Sequence, residues 1–321
     1  MKVLVTGGSG YVGSVLTNML LQKGFQVKVI DFLWFKKDIP LINLNNPNYE
    51  FIKGDVRDSK LVEQCLHDVD FVIHTAAVVG DPASKKYPEI TKEINLVASK
   101  NLINLARAKG IKGFFFFSTC SNYGVANSLA TEESELKPLS LYAESKIQVE
   151  EFLINEVNDL DWIIGRLSTV YGSSPRMRFD LTVNDFTLAG FKDKKIDIFL
   201  PESYRPYIHV YDLANVIINL INNFEKTKRN VFNIGFNGEN YQKIQIANAV
   251  KENISDLNIN ILKEGGDTRD YQVDFSKLYN FIGLKNNYNV GNAVKEILYI
   301  LNNGLVSNPM LDCYYNTTPD L

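Results

Sequence analysis

The N-terminal stretch Met1-Lys-Val-Leu-Val-Thr-Gly-Gly-Ser-Gly-Tyr-Val-Gly-Ser14 decides the fold. Val3, Leu4 and Val5 form an apolar run without polar alternation, the mark of a strand buried on both faces of a parallel sheet. Gly7, Gly8, Gly10 and Gly13 follow at once, and Val15 to Leu21 carry helix-type apolar spacing. Strand, glycine turn and helix in this order make a phosphate cradle. The glycines allow close backbone approach, and the helix N-terminus offers unpaired N–H groups and the positive end of its dipole.

Gly8-x-Gly10-x-x-Gly13 has the spacing of a dinucleotide fingerprint. Val27, Val29 and Ile30 supply a second strand, and Asp31 ends it about 20 residues after the glycines. A carboxylate there accepts hydrogen bonds from ribose hydroxyls and repels a 2′-phosphate, so the pattern predicts NAD.

Outward from that stretch, strands are expected at Lys2–Val5, Gln26–Ile30, Tyr49–Lys53, Phe71–His74, Gly113–Ser118 and Trp162–Leu167. Helices fall between them, including one near Glu93–Lys109 and one near Ser140–Glu156. This alternation predicts an α/β fold, a doubly wound parallel sheet of Rossmann type. After Ser173 the texture changes, with Pro175, Pro201 and Pro206 among irregular segments. Residues 1–172 are therefore assigned to an NAD-binding domain, to which 207–235 return. Residues 173–321 are assigned mainly to a smaller C-terminal substrate-binding α/β domain. The tail Asp312–Leu321 has no periodicity, and its role is open.

The 321 residues are 45% hydrophobic and 22% charged with a net charge of −3, which describes a globular chain and gives no sign of nucleic acid or membrane partners. No apolar run approaches the ~20 residues of a membrane span. Three scattered cysteines and the lack of a leader pattern at the start lead to the expectation of reduced thiols in the cytoplasm. The three histidines lack metal-ligand spacing, so no metal is expected.

The chemistry is expected at Ser118-Thr119-Cys120-Ser121-Asn122, ending a buried strand, and at Tyr142 and Lys146 on a helix. Residues at i and i+4 share one helix face, so the phenol and the ammonium can converge on one ligand. A nearby ammonium and an oxidised nicotinamide both favour the phenolate and would lower a pKa that is ordinarily near 10. Lys146 can also hold the nicotinamide ribose, and Thr119 can bridge a substrate hydroxyl to Tyr142. Asp55 and Val56 after the third strand suit an adenine edge, and Ala76 and Ala77 after the fourth let the backbone approach the cofactor.

Together these residues resemble the extended short-chain dehydrogenase/reductase superfamily, in its nucleotide-sugar epimerase/dehydratase branch. The resemblance runs from Lys2 to about Gly283. It is carried by Thr6-Gly7-x-x-Gly10-x-x-Gly13, Asp31, Gly54-Asp55-Val56, His74-x-Ala76-Ala77, Asn95, Thr119 and Tyr142-x-x-x-Lys146. It continues through Arg166-x-x-x-x-Tyr171-Gly172, Arg205-Pro-Tyr-Ile-His-Val210 and Asp212. It adds Tyr11, Val12 and Asn95 to the cofactor residues. It implies that Tyr142 takes the C4 hydroxyl proton of a nucleotide-activated sugar while hydride passes to NAD, leaving a 4-keto sugar. It also implies that Asn184, Arg205 and Arg269 hold the nucleotide diphosphate, with Arg176 and Arg178 as neighbours and Ser121 and Asn122 beside the substrate. Guanidinium groups suit such a site because they are always charged and fork onto phosphate oxygens.

Dehydratases of this kind carry a carboxylate pair after the threonine. Here Cys120 and Ser121 occupy those positions, so dehydration is disfavoured and Cys120 reads as a packed small residue. A 4-epimerase is the first expectation, and a 4-dehydrogenase or 4-ketoreductase the alternative. The run from Ser174 to Phe186 is similar to branch members that include GDP-heptose 4-dehydrogenases as well as enzymes labelled epimerases. A non-catalytic NAD(H)-sensing regulator is a remote third, since such proteins would lose the tyrosine or lysine. The helices near 93–109 and 140–156 resemble those that pair in family homodimers, so a homodimer is expected.

Overall fold

A computed structural model describes residues 1–126 and 128–317; the end of the tail, 318–321, lies outside the described residues. The strands are β1 Lys2–Thr6, β2 Gln26–Asp31, β3 Tyr49–Lys53, β4 Phe71–His74, β5 Gly113–Thr119, β6 Trp162–Leu167, β7 Thr169–Tyr171, β8 Lys195–Phe199, β9 Tyr204–His209, β10 Asn230–Ile234, β11 Asn240–Gln242 and β12 Asn258–Leu262. Seven of them build one sheet in the order β10-β6-β5-β4-β1-β2-β3, with every pairing parallel. The expected parallel sheet is thus present, with strand ends within a residue of those read from the sequence.

The unbroken apolar strands follow from packing on both faces. In β5, Phe115 and Phe117 enter one core while Phe114 and Phe116 enter the other. In β1, Val3 and Val5 face the first core and Leu4 the second. Period-2 side-chain alternation with helices on both faces makes both sides of these strands apolar. The expected helix near Glu93–Lys109 is two pieces, a π-helical Glu93–Ala98 and an α-helical Ser99–Ala108.

The chain order reverses between β1 and β4, which opens a crevice at the carboxyl ends of the strands. Over this crevice lie a three-stranded sheet, β11-β9-β7, and the parallel pair β12-β8. They pack with the helices Thr182–Asp193, Lys243–Lys251 and Val290–Asn302 around a separate core that includes Val183, Ile196, Tyr207, Val250 and Val294. The tail joins a further cluster, where Tyr314 meets Phe179 edge-on with ring centres 5.7 Å apart. Among the described residues, no helix is long and apolar enough to cross a membrane.

Candidate active site

The glycine turn is fitted to a ligand's close approach. Gly7 has φ +72°, and a Cβ there would stand 2.8 Å from the Ala76 backbone. A Cβ on Gly13 would lie 2.1 Å from the Gly7 carbonyl oxygen. Helix Tyr11–Gln22 begins at Gly10, which provides no side-chain cap and so leaves the first N–H groups facing the crevice. Asp31, at the end of β2, accepts from Ser9 N at 2.9 Å and Leu33 N at 2.7 Å. Burial pushes its carboxyl up despite those bonds. Each carboxylate oxygen keeps a further lone pair for a ribose hydroxyl. These residues fit a bound NAD.

The turn opens onto a cavity of about 1010 Å³ that continues past β5 to the second half of the chain. Gly7, Gly10, Tyr11, Val12, Gly13, Asp31, Asp55, Val56, Ala76 and Ala77 line one end. Thr119, Ser121, Tyr142, Lys146, Arg176, Arg178 and Arg269 also line the cavity. Asn95, Asn122, Asn184 and Arg205 are not brought to its wall, and each has a structural task. The Asn95 amide brackets the backbone of Val78, accepting from its N at 2.8 Å and donating to its O at 2.9 Å. Asn122 donates to Ser118 Oγ at 3.1 Å and Glu150 Oε1 at 2.9 Å. Asn184 holds Gly172 and the Arg178 carbonyl, which sets the loop that carries Arg178. Arg205 donates to the Tyr204 carbonyl at 2.7 Å and lies 3.2 Å from Asp267.

Tyr142 and Lys146 share one face of helix Leu141–Glu156, whose N-cap Ser140 accepts from Ala143 N and donates to Asp81 at 2.6 Å. Burial pushes the Tyr142 phenol up to about 12; its hydrogen bond with Thr119 works the other way, while Asp81 adds to the rise. This departs from the expectation that Lys146 lowers it. The Lys146 ammonium lies 4.9 Å over the Phe116 ring instead, and burial brings it down to about 7 against the pull of Glu150. Burial thus favours the protonated phenol, Arg178 and Arg269 oppose it, and a positively charged ligand beside Tyr142 would oppose it further.

One helical turn beyond Lys146, Glu150 forms a buried pair with Arg166 at 2.7 Å. It also takes a short bond from Ser118 Oγ, so it anchors this helix to the end of β5. Its place in the series 142, 146, 150 was the available signal. Cys120 is fully buried and gives its S–H to the Arg166 carbonyl at 3.1 Å, and burial pushes its thiol far above the ordinary range. Arg269 donates to Ser121 Oγ at 2.7 Å, pairs with Asp267 and lies 3.3 Å from Asp81. Arg178 pairs with Asp180 at 2.8 Å. His74 is structural: it bonds Thr6 and Ser99, and burial lowers it to about 3. Among the described residues, no cluster of His, Cys, Asp and Glu could hold a metal ion. The sequence reading missed Asp81, Asp180, Asn316 and Thr317, all of which line the cavity.

A strand-end crevice that gathers a glycine turn, an aspartate at the end of the second strand and a Thr–Tyr–Lys set defines an NAD-dependent enzyme. Residues 3–235 match the NAD dependent epimerase/dehydratase family, and the chain belongs to that family. It is 28% identical over 313 residues to a UDP-glucose 4-epimerase of Lactobacillus helveticus, covering 89% of this chain and 92% of that protein. It is 30% identical over 263 residues to a putative UDP-glucose 4-epimerase of Methanocaldococcus jannaschii, covering 74% and 84%. A structure of UDP-glucose 4-epimerase with UDP-glucose from Thermotoga maritima superimposes with a TM-score of 0.83 at 26% identity, covering 95% of this chain and 100% of that one.

Proposed function

We propose that the chain oxidises C4 of a nucleotide-activated sugar reversibly and acts as a nucleotide-sugar 4-epimerase. The observation that carries this reading is that Thr119, Tyr142 and Lys146 line one cavity that runs from the glycine turn to Arg269. Bound NAD would accept the C4 hydride and, once the 4-keto sugar has turned over in the cavity, return it to the opposite face. Tyr142 takes the C4 hydroxyl proton as the hydride leaves and returns it when the hydride is restored, with Thr119 holding the hydroxyl in line. Lys146 holds the nicotinamide ribose, while Arg178 and Arg269 face the diphosphate. Cys120, buried and committed to a carbonyl, has no part in proton transfer, which argues against a dehydratase.

The test is to add UDP- and GDP-sugars to the NAD-loaded protein, following the product isomer and the absorbance of reduced nicotinamide together. A C4 epimer without lasting reduction supports the reading. A lasting rise with a 4-keto product replaces it with a dehydrogenase. We further propose a homodimer through the helices Ser99–Ala108 and Leu141–Glu156, near which Val97 and Ile154 are 62% and 45% exposed. Light scattering at a monomer mass would remove that proposal.

A further inference from the structure

Arg176 is buried, yet its Nε and Nη2 have no hydrogen-bond partner among the described residues. Its guanidinium carbon lies 3.8 Å from the centre of the Phe35 ring. The nearby carboxylates are committed elsewhere. Asp180 accepts from Arg178 at 2.8 and 3.0 Å and from Asn316 N at 2.9 Å, and the Asp31 oxygens accept from Ser9 and Leu33. A buried charge with unused donors is costly, so such a group is retained where a ligand oxygen completes it.

Its position selects the ligand. Phe35 follows β2 and Asp31, and Arg176 lines the cavity together with both. Arg178 and Asp180 act on Arg176 more strongly than Asp31 does, so the group lies between the loop after β7 and the end of β2. The stack on Phe35, four residues after Asp31, places the Arg176 guanidinium at the part of the cavity that the end of β2 borders.

We propose that Arg176 reaches across the cleft and donates through Nε and Nη2 to oxygens of the adenosine-diphosphate half of NAD. It is a cofactor clamp supplied by the second half of the chain, not a neighbour of the nucleotide-sugar diphosphate. This rests on the reading that the glycine turn and Asp31 hold NAD. The clamp ties the loop after β7 to the cofactor, so cofactor binding also fixes the loop that carries Arg178.

The test uses the full-length chain and two variants, Arg176→Met, which keeps an extended side chain against Phe35, and Arg176→Lys. Affinity for NAD, ADP-ribose, UDP and GDP is read from quenching of Trp34, which lines the cavity. Loss of a charge-assisted bond predicts about 10- to 100-fold weaker NAD and ADP-ribose binding by Arg176→Met. A smaller loss is expected for Arg176→Lys, with UDP and GDP affinity of the NAD-saturated protein unchanged. Unchanged NAD affinity, or a loss confined to UDP or GDP, overturns the clamp. A melting temperature of Arg176→Met without added cofactor at or above wild type excludes misfolding as the cause. Should that variant fail to fold, the same ratios on Arg176→Lys decide. If Asp31→Ala leaves NAD affinity intact, the cofactor placement itself fails, which is a separate result.

Discussion

The ammonium of Lys146 lies 4.9 Å above the ring of Phe116, one helical turn from the buried Glu150–Arg166 pair. Burial there lowers Lys146 to about 7. In the unfolded chain a lysine keeps its proton to about 10.4. From pH 7 to 9 the unfolded chain therefore binds more protons than the folded one, and stability rises with pH through that window. Above 9 the buried Cys120 thiol acts in the opposite sense, because only the unfolded chain loses that proton. Thermal melts of the cofactor-free chain at several pH values should show the rise in wild type, and the Lys146→Met variant should lack it. An identical slope in both would remove Lys146 as its source.

Tyr142 is held up to about 12, with Thr119 as the opposing hydrogen bond. Turnover by the NAD-loaded protein should increase with pH as the phenolate forms. Thr119→Val should move that rising limb to higher pH, because it removes the bond that lowers the phenol. Tyr142→Phe should cost about 10²- to 10⁴-fold in kcat while bound NAD is retained. Rate–pH profiles of the three proteins check the order, and an unshifted limb in Thr119→Val would discard the role given to that bond.

Glu150 and Arg166 are both buried. Truncating one partner leaves the other charge uncompensated, which costs about 3–5 kcal/mol. Urea unfolding should show that loss for Glu150→Ala and a smaller one for Glu150→Gln, whose amide oxygen still accepts from Arg166. A loss under 1 kcal/mol in Glu150→Ala would mean that the pair is compensated elsewhere.

The strands were legible because β1, β4 and β5 are buried on both faces, which writes itself into sequence as an unbroken apolar run. The glycine turn was legible for a steric reason, since a Cβ at Gly13 would overlap the Gly7 carbonyl. Side-chain amides were not. Asn122 and Asn184 carry the same donors and acceptors whether they face a ligand or a neighbouring peptide, and their partners Glu150 and Gly172 lie 28 and 12 residues away. Asp81 and Asn316 escaped notice because what gives each a place at the cavity is tertiary: an ion pair with Arg269, and a bond to Asp180. The break between Ala98 and Ser99 changes the helical hydrogen-bond register without changing the apolar spacing, so nothing in the residues announced it.

The tail is a strap over the cavity. Tyr314 O accepts from Phe179 N at 3.1 Å, Asn316 N donates to Asp180 at 2.9 Å, and Lys86 reaches the Thr317 carbonyl at 2.7 Å. Asp180 in turn holds Arg178, so the tail supports a guanidinium that faces the proposed diphosphate site. Two variants separate packing from function. Tyr314→Ala removes a buried ring from the cluster with Phe179 and Met177 and should cost roughly 3 kcal/mol in a denaturant melt. Asn316→Ala keeps the hydrogen bond from its backbone N–H to Asp180 and loses only the side-chain amide that lies 3.4 Å from the Val79 carbonyl. It should hold stability within about 1 kcal/mol and leave the KM for the nucleotide sugar nearly unchanged. Deleting residues from Asp312 onward removes every one of these contacts, and KM should then rise by at least tenfold with a smaller change in kcat. If the deletion instead leaves KM unchanged, Asp180 holds Arg178 without the tail, and the strap contributes stability alone.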